Sequence, residues 1–489
     1  MVLQVENHRF AGPPRGPARM NAPPNPRNGW QTRSLLWLVL GVAILLVVSV
    51  WRRGGWLHSE LIPVSQAIWA HPHNKSVLTQ LKATFVDWRL FESSAHRLRP
   101  LSDLTEVVDA ILRPLKVFGF HPSLSITGVL LAAGTAAVFY LALRRSDLDP
   151  LRAALLTLLL VTTIGYLSCY VPYIRPAKKL ALFFTAVILL FTRGERPSSL
   201  GFAALCLALF CSFFADEAGF VLWPITLILA GPAMVRGKQW PRLGILLALP
   251  LLYFLVAKIL IPALYLTVGV SRNMEMGVAG KLLSYCFSWK YYVVALDDFS
   301  SAVMVTFGVL GARPWQIILG VALMLAAVVW GIRRRQWDGV AAIAAAGIMS
   351  FSLTLFDWFN IPYGSNAFGA LTYYYHSPVA LLAVFALAQF RPKLAVLLPA
   401  VILLVGLNLF NFHAVNRLVL IMHTYPTDVR ALPGAVEQPA ELEAEFNRRL
   451  LRLNGQHTDW MQKTFNHYKA HPMGGADYVK RFNDMYRAR

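Results

Sequence analysis

Charge is what this chain has little of. Only 15% of its 489 residues are Asp, Glu, Lys or Arg, and the acids are the scarcer half, 25 against 46. Soluble globular domains carry about 25% charged residues, so with 56% hydrophobic residues and a mean hydropathy of +0.50 that class is excluded. Cysteine is equally sparse. Cys169, Cys206, Cys211 and Cys286 show no CxxC spacing, which argues against a disulfide scaffold and leaves them as packing thiols. There is no clustered Asp triad, and no metal or other cofactor is expected. A cleavable signal peptide is not expected either. The first apolar run starts near Ser34, after a Pro- and Arg-rich leader, and no small-residue cleavage site follows it.

What the chain does have is long apolar runs of the length that crosses a hydrocarbon core about 30 Å thick. Spans are expected near 34–51, 124–143, 151–170, 177–192, 198–214, 218–235, 243–268, 314–332, 339–356, 376–390 and 394–411. The fold class is therefore all-α, a polytopic membrane protein of about eleven transmembrane helices. The net charge of +21 would suggest nucleic acid in a soluble protein, but here the cations gather at the ends of apolar runs, so no nucleic acid is expected and membrane lipids are.

Charge bias sets the orientation. With the N-terminus in the cytoplasm, the inner segments collect Arg33, Arg144–Arg145, Arg236, Arg333–Arg335 and Arg391, whereas the short loops near 215 and 360 hold no cation. The moderately apolar stretch 292–312 would invert the later loops if it spanned. It is expected instead to be an extracytoplasmic helix lying on or in the membrane surface.

Four segments follow. Residues 1–33 are a basic cytoplasmic leader, expected to be disordered. Residues 34–235 form a core module with a large extracytoplasmic loop, 52–123. Residues 236–411 form a second transmembrane module with a loop at 269–313. Residues 412–489 are an extracytoplasmic helical tail and a candidate for contact with a second envelope protein. Within the first loop, Leu101, Leu104, Val108, Ile111 and Leu115 recur at helical spacing. They suggest an amphipathic interfacial helix with Ser102 as its N-cap.

The residues able to do chemistry gather on the extracytoplasmic side. The first loop carries Glu60, Asp87, Arg97 and Arg99. The next outer loop carries Arg175, Lys178 and Lys179. Asp216 and Glu217 sit between two apolar spans, and Tyr374, Tyr375 and His376 precede the tenth. Arg and Lys at a membrane edge often snorkel to headgroups, and tyrosines there often form an aromatic belt. Two adjacent acids in a short loop between apolar spans are costly unless paired or functional. Acids and bases on one face suit a reaction on a lipid-linked phosphate: cations hold the phosphate leaving group, and a carboxylate takes the proton of an incoming hydroxyl.

Arg97-Leu-Arg99-Pro100-Leu101, the helix after it, Phe118-Gly-Phe-His-Pro122, Ala215-Asp216-Glu217 and Tyr373-Tyr-Tyr-His-Ser-Pro378 together resemble the GT-C membrane glycosyltransferases. They are most like the branch of TPR-bearing O-mannosyltransferases and their bacterial relatives. The resemblance implies a GT-C-like fold, a polyprenyl-phosphate-linked sugar as donor, and inverting, metal-independent transfer to an extracytoplasmic lipid, glycan or protein acceptor. On that reading Glu60 is the general base with Asp87 in reserve. Arg97, Arg99, Arg175, Lys178 and Lys179 bind the donor phosphate, and Asp216, Glu217, Tyr374, Tyr375 and His376 wall the site. The expected location is a bacterial inner membrane, or the endoplasmic reticulum in a eukaryote. The chain departs from the family pattern at His58-Ser59-Glu60, which offers one acid for the usual two, at Asp216 in place of a lysine, and at Thr372 in place of an arginine. Two other readings stand beside the enzyme: a GT-C-fold subunit that binds a lipid-linked or glycan ligand without turnover, and a transporter.

Overall fold

The computed structural model describes residues 26–51, 101–102, 104–105, 108, 126–170, 176–192, 198–215, 218–260, 286–309, 314–358 and 377–411. Every regular element among them is helical. In chain order these are α1 (Pro26–Trp51), α2 (Ile126–Arg145), α3 (Pro150–Thr162), α4 (Ile164–Cys169), α5 (Pro176–Phe191), α6 (Ser199–Phe213) and α7 (Ala218–Arg236). Then come α8 (Trp240–Phe254), which runs into a π turn at Leu255–Leu260, α9 (Trp289–Thr306), α10 (Pro314–Arg333), α11 (Trp337–Trp358) and α12 (Ser377–Gln389), and finally α13 (Leu394–Asn411).

Six of these helical segments are long and apolar enough to cross a membrane: Trp30–Ser49, Ile126–Arg145, Gly219–Arg236, Trp240–Ala257, Trp337–Leu355 and Leu394–Asn411. The protein is an integral membrane protein of helical type. The other expected spans are present as helices at the expected places, but shorter or interrupted.

Local chemistry explains the breaks. Asp149 caps α3 by accepting the Arg152 N–H at 3.0 Å, with Pro150 in the first turn. Ser198 caps α6 by accepting the Gly201 N–H at 3.1 Å. The expected span 151–170 is cut at Thr163, whose backbone is extended. Thr163 mends its own break. Its hydroxyl donates to the Leu160 carbonyl at 2.7 Å and accepts the Tyr166 N–H at 3.2 Å, so it caps α4. Thr162 donates to the carbonyls of Leu158 and Leu159, each at 3.0 Å. Interrupted helices in hydrocarbon need this kind of internal satisfaction.

Four tight turns share one end of the bundle, between α2 and α3, α7 and α8, α10 and α11, and α12 and α13. Each contains a non-glycine residue at positive φ: Asp147 (63°), Lys238 (53°), Arg335 (56°) and Arg391 (49°). With Arg144, Arg145, Arg236 and Arg333 in the adjoining last helical turns, this is the basic end of the molecule.

At the centre stands α12. Ser377 to Leu382, Val384, Phe385, Ala386 and Ala388 are all buried, and the helix touches α3, α4, α5, α9 and α11. A helix apolar on every side belongs inside a bundle. Large apolar residues turned outward, such as Trp37 and Leu45 on α1, Leu251 on α8, Ile318 on α10 and Phe410 on α13, form the face that meets lipid.

Helix α9 is not among the six candidate spans. Its partners lie toward the end opposite the basic turns. The Tyr291 hydroxyl donates to the Phe351 carbonyl at 2.7 Å, and Asn408 and Asn411, in the last turn of α13, donate to the carbonyls of Thr306 and Gly308 at 3.3 and 2.6 Å. Gly320, early in α10, is seated where a Cβ would overlap the Ser300 hydroxyl. In the first loop, Leu101 is already helical, so Ser102 lies within a helix and is buried there. The expected N-cap role of Ser102 is corrected accordingly. Residues 26–33, expected to belong to a disordered leader, are helical as the start of α1. Residues 1–25, the rest of loop 52–123, residues 269–285 and 310–313 of the second loop, and the tail lie outside the described residues.

The mended break makes a prediction. Thr163→Val removes one cap and one carbonyl partner in an apolar setting, a loss of about 1–2 kcal/mol. Its thermal midpoint in detergent should fall measurably, while Thr163→Ser should stay close to the original protein.

Candidate functional site

Polar side chains inside the bundle concentrate at the end opposite the basic turns. In the first turn of α5, Lys178 and Lys179 are 6% and 3% exposed. A lysine is rarely this buried unless its charge is compensated, and here two adjacent ammonium groups meet the positive end of a helix dipole. Negative charge is what such a corner accommodates, whether a carboxylate or the phosphate of a ligand.

The turn from α6 to α7 reaches the same end, and its two flanks are tightly held. Gly219 packs so close to the preceding helix that a Cβ would overlap the Ser212 carbonyl. The Ser212 hydroxyl donates to Leu209 at 2.7 Å and reaches the Gly219 carbonyl at 3.4 Å. The Phe213 and Phe220 rings stack at 5.0 Å, and Tyr253 of α8 lies against both, at 5.6 and 4.8 Å. Between these flanks the sequence places Asp216 and Glu217, which themselves lie outside the described residues.

Beneath the lysines runs a hydrogen-bonded layer of hydroxyls. The Tyr166 hydroxyl donates to the Ala132 carbonyl at 2.7 Å, and Tyr170 and Thr135 share a hydrogen bond at 2.9 Å. Ser377, the first residue of α12, donates to the Gly165 carbonyl at 2.6 Å. This ties the start of the central helix, directly after Tyr374, Tyr375 and His376 in sequence, to α4.

The polar end of the bundle also contains an acid that sequence reasoning missed. Asp298 on α9 is buried and accepts a hydrogen bond from the Thr354 hydroxyl at 2.8 Å. Thr354 also reaches the Ser350 carbonyl at 3.0 Å. One turn away, the Ser350 hydroxyl is buried without a hydrogen-bond partner. The neighbouring Asp297 is half-buried. Burial pushes its carboxyl above the usual carboxylate range, and the Ser301 hydroxyl, 3.4 Å away, opposes the shift. The available signal was two adjacent acids in an otherwise apolar stretch, the same signal that singled out Asp216 and Glu217.

Of the expected site residues, Lys178 and Lys179 are placed, together and buried. Glu60, Asp87, Arg97, Arg99, Arg175, Asp216, Glu217, Tyr374, Tyr375 and His376 fall outside the described residues. The four cysteines form no disulfide, Cys169 being buried and the others half-buried.

Gly219→Ala should cost about 1–3 kcal/mol, as overpacking against rigid backbone does. A lowered thermal midpoint would register it, whereas Gly244→Ala, where a Cβ meets open space, should be close to neutral. Comparison of the chain with protein-family models, with curated proteins and with solved structures gives no match.

Proposed function

We propose that this protein is a GT-C-like membrane glycosyltransferase of about eleven spans, with the polar end of its bundle on the extracytoplasmic side. It moves a sugar from a polyprenyl-phosphate donor to an extracytoplasmic lipid, glycan or protein acceptor. The observation that carries the reading is the buried pair Lys178 and Lys179 at the start of α5, a setting suited to a phosphate that must lose its bond to a sugar.

In this reaction the acceptor hydroxyl attacks the anomeric carbon from the side opposite the donor phosphate, and Glu60 takes the hydroxyl proton. The bond from the anomeric carbon to the phosphate oxygen breaks with inversion, and polyprenyl phosphate leaves carrying the electron pair. Lys178, Lys179, Arg97, Arg99 and Arg175 offset the charge gathering on that phosphate. Asp87 serves acceptor binding. Asp216, Glu217, Tyr374, Tyr375 and His376 wall the site.

A second reading is a GT-C-fold subunit that binds the same ligand without turnover. It is favoured by the single acid at Glu60 and by Asp216 and Thr372 standing where the family carries cations.

Two experiments test these readings. Lys178→Met and Lys179→Met should each weaken binding of a polyprenyl-phosphate sugar by roughly 10- to 100-fold, the scale of a lost charge-assisted hydrogen bond. Unchanged donor affinity in both would remove the phosphate role. Glu60→Gln should slow transfer by about 10²–10⁴-fold while the donor still binds. Full donor binding with no transfer by the unaltered protein, across acceptor classes, would leave the non-catalytic subunit. Orientation has its own check: a reporter active only outside the cytoplasm should work when fused after Arg489 and fail when inserted after Arg335. The reverse pattern would place the polar end in the cytoplasm.

A further inference from the structure

Over its first half helix α9 has two faces of opposite character, and from Asp298 to Thr306 every residue but Ser301 is buried. Tyr291, Ala295, Asp298, Phe299, Ala302 and Val303 are buried in the bundle. On the other side Trp289 is 70% exposed, Tyr292 49%, Val293 53% and Leu296 39%. These four recur at i, i+3, i+4 and i+7, a stripe along one side of the helix. Phe287 just before it is also exposed, and so is Lys290 within it.

An apolar stripe of this kind needs a partner. We propose that it lies in the plane of the bilayer at the boundary between headgroups and acyl chains, and that its partner is the phospholipid of the leaflet opposite the basic turns. Four observations identify lipid as the occupant. The stripe is aromatic at Trp289 and Tyr292, residues that favour the membrane interface, with an apolar body and a polar handle. Lys290 supplies a cation for lipid phosphate, and no acid is exposed among the residues of α9. The stripe continues onto α10, which packs against α9 and turns Trp315, Ile318 and Leu319 outward as part of the lipid face. Finally, α9 touches α10, α11 and α13 away from their basic ends, as an in-plane helix does and a span does not.

The consequence is a depth for the acid on its inner face. The helix keeps its outer stripe in the interface and, on its inner face, Asp298 at the level where a membrane lipid presents its phosphate. The inference concerns α9 alone and stands whether or not the transferase reading holds.

The test measures depth at two points on the stripe. Trp289→Cys and Leu296→Cys are made separately in the full-length chain with its four cysteines replaced by alanine. Each is labelled with an environment-sensitive fluorophore and reconstituted into phosphatidylcholine and phosphatidylglycerol vesicles. Seven residues of helix are about 10 Å long. An in-plane helix gives both labels the same shallow depth, with stronger quenching by lipids carrying nitroxide at the headgroup than deep in the chain. Three results would overturn the proposal: depths differing by about 10 Å, which make α9 a span; water-like emission at both positions, which lifts it off the membrane; and shielding from every lipid quencher with crosslinking between copies, which makes the partner protein. Val293→Cys, midway along the stripe, replaces either position if its label disturbs folding.

Discussion

One helix leaves the others little freedom. Because α12 is buried along almost its whole length, five helices must fit around it, and none can shift without opening a gap that neither lipid nor water fills well. Packing at crystalline density punishes such gaps. The constraint is anchored at one point by a hydrogen bond between residues 212 positions apart, Ser377 to the Gly165 carbonyl. That bond joins the early spans to the late ones at the polar end. Opposite it, Phe390, just beyond α12, fills the space above Gly331 and Gly339 and seats the turn between α10 and α11. The central helix is thus fixed at both ends by close contacts and along its length by apolar packing.

Around that axis the two ends of the bundle handle polarity differently. At the basic end the cations face outward from tight turns. Lys238, Arg335 and Arg391 occupy left-handed backbone positions where glycine would be easier by about 1 kcal/mol. A cation near an anionic leaflet gains about 1 kcal/mol, enough to offset that strain. At the other end, polar groups turn inward and find partners within the protein. The Thr306 hydroxyl donates to a carbonyl one turn back in its own helix, as the hydroxyls of Thr157, Thr185 and Thr226 do farther along the bundle. Tyr166, Thr354 and Ser377 reach across to other helices.

Much of this was legible in the sequence because lipid enforces a simple rule. An apolar run of sufficient length becomes a helix, and its ends fall where charge or proline begins. Each expected span holds a helix, with 151–170 cut in two and 243–268 described only as far as Leu260. What escaped was set by side chains acting on backbone. The break at Thr163 lies in an uninterrupted apolar run, and a threonine pair there reads as ordinary helix until its hydrogen bonds are seen. The π turn after Phe254 leaves no mark in hydropathy. Asp298 escapes because the stretch 292–312 reads as moderately apolar on average, its two acids diluted by nineteen neighbours. The site residues legible as motifs sit mainly in loops, where the apolar rule sets no position, so only the two lysines at the mouth of α5 have been placed.

On the proposed transferase reading, those lysines take the part of cations that the GT-C pattern places elsewhere. The family places a cation where this chain has Asp216, and another where it has Thr372. A phosphate does not require its cations on particular helices; it requires positive charge close by and shielded from water, where the same charge acts more strongly. The start of α5 and the turn from α6 to α7 reach the same end of the bundle. Moving the positive charge to Lys178 and Lys179 therefore keeps it at that end. On the proposed reading, acid at residue 216 and lysine at 178 and 179 are one exchange, in which the positive charge a phosphate needs is kept at the polar end of the bundle while the helix that supplies it changes.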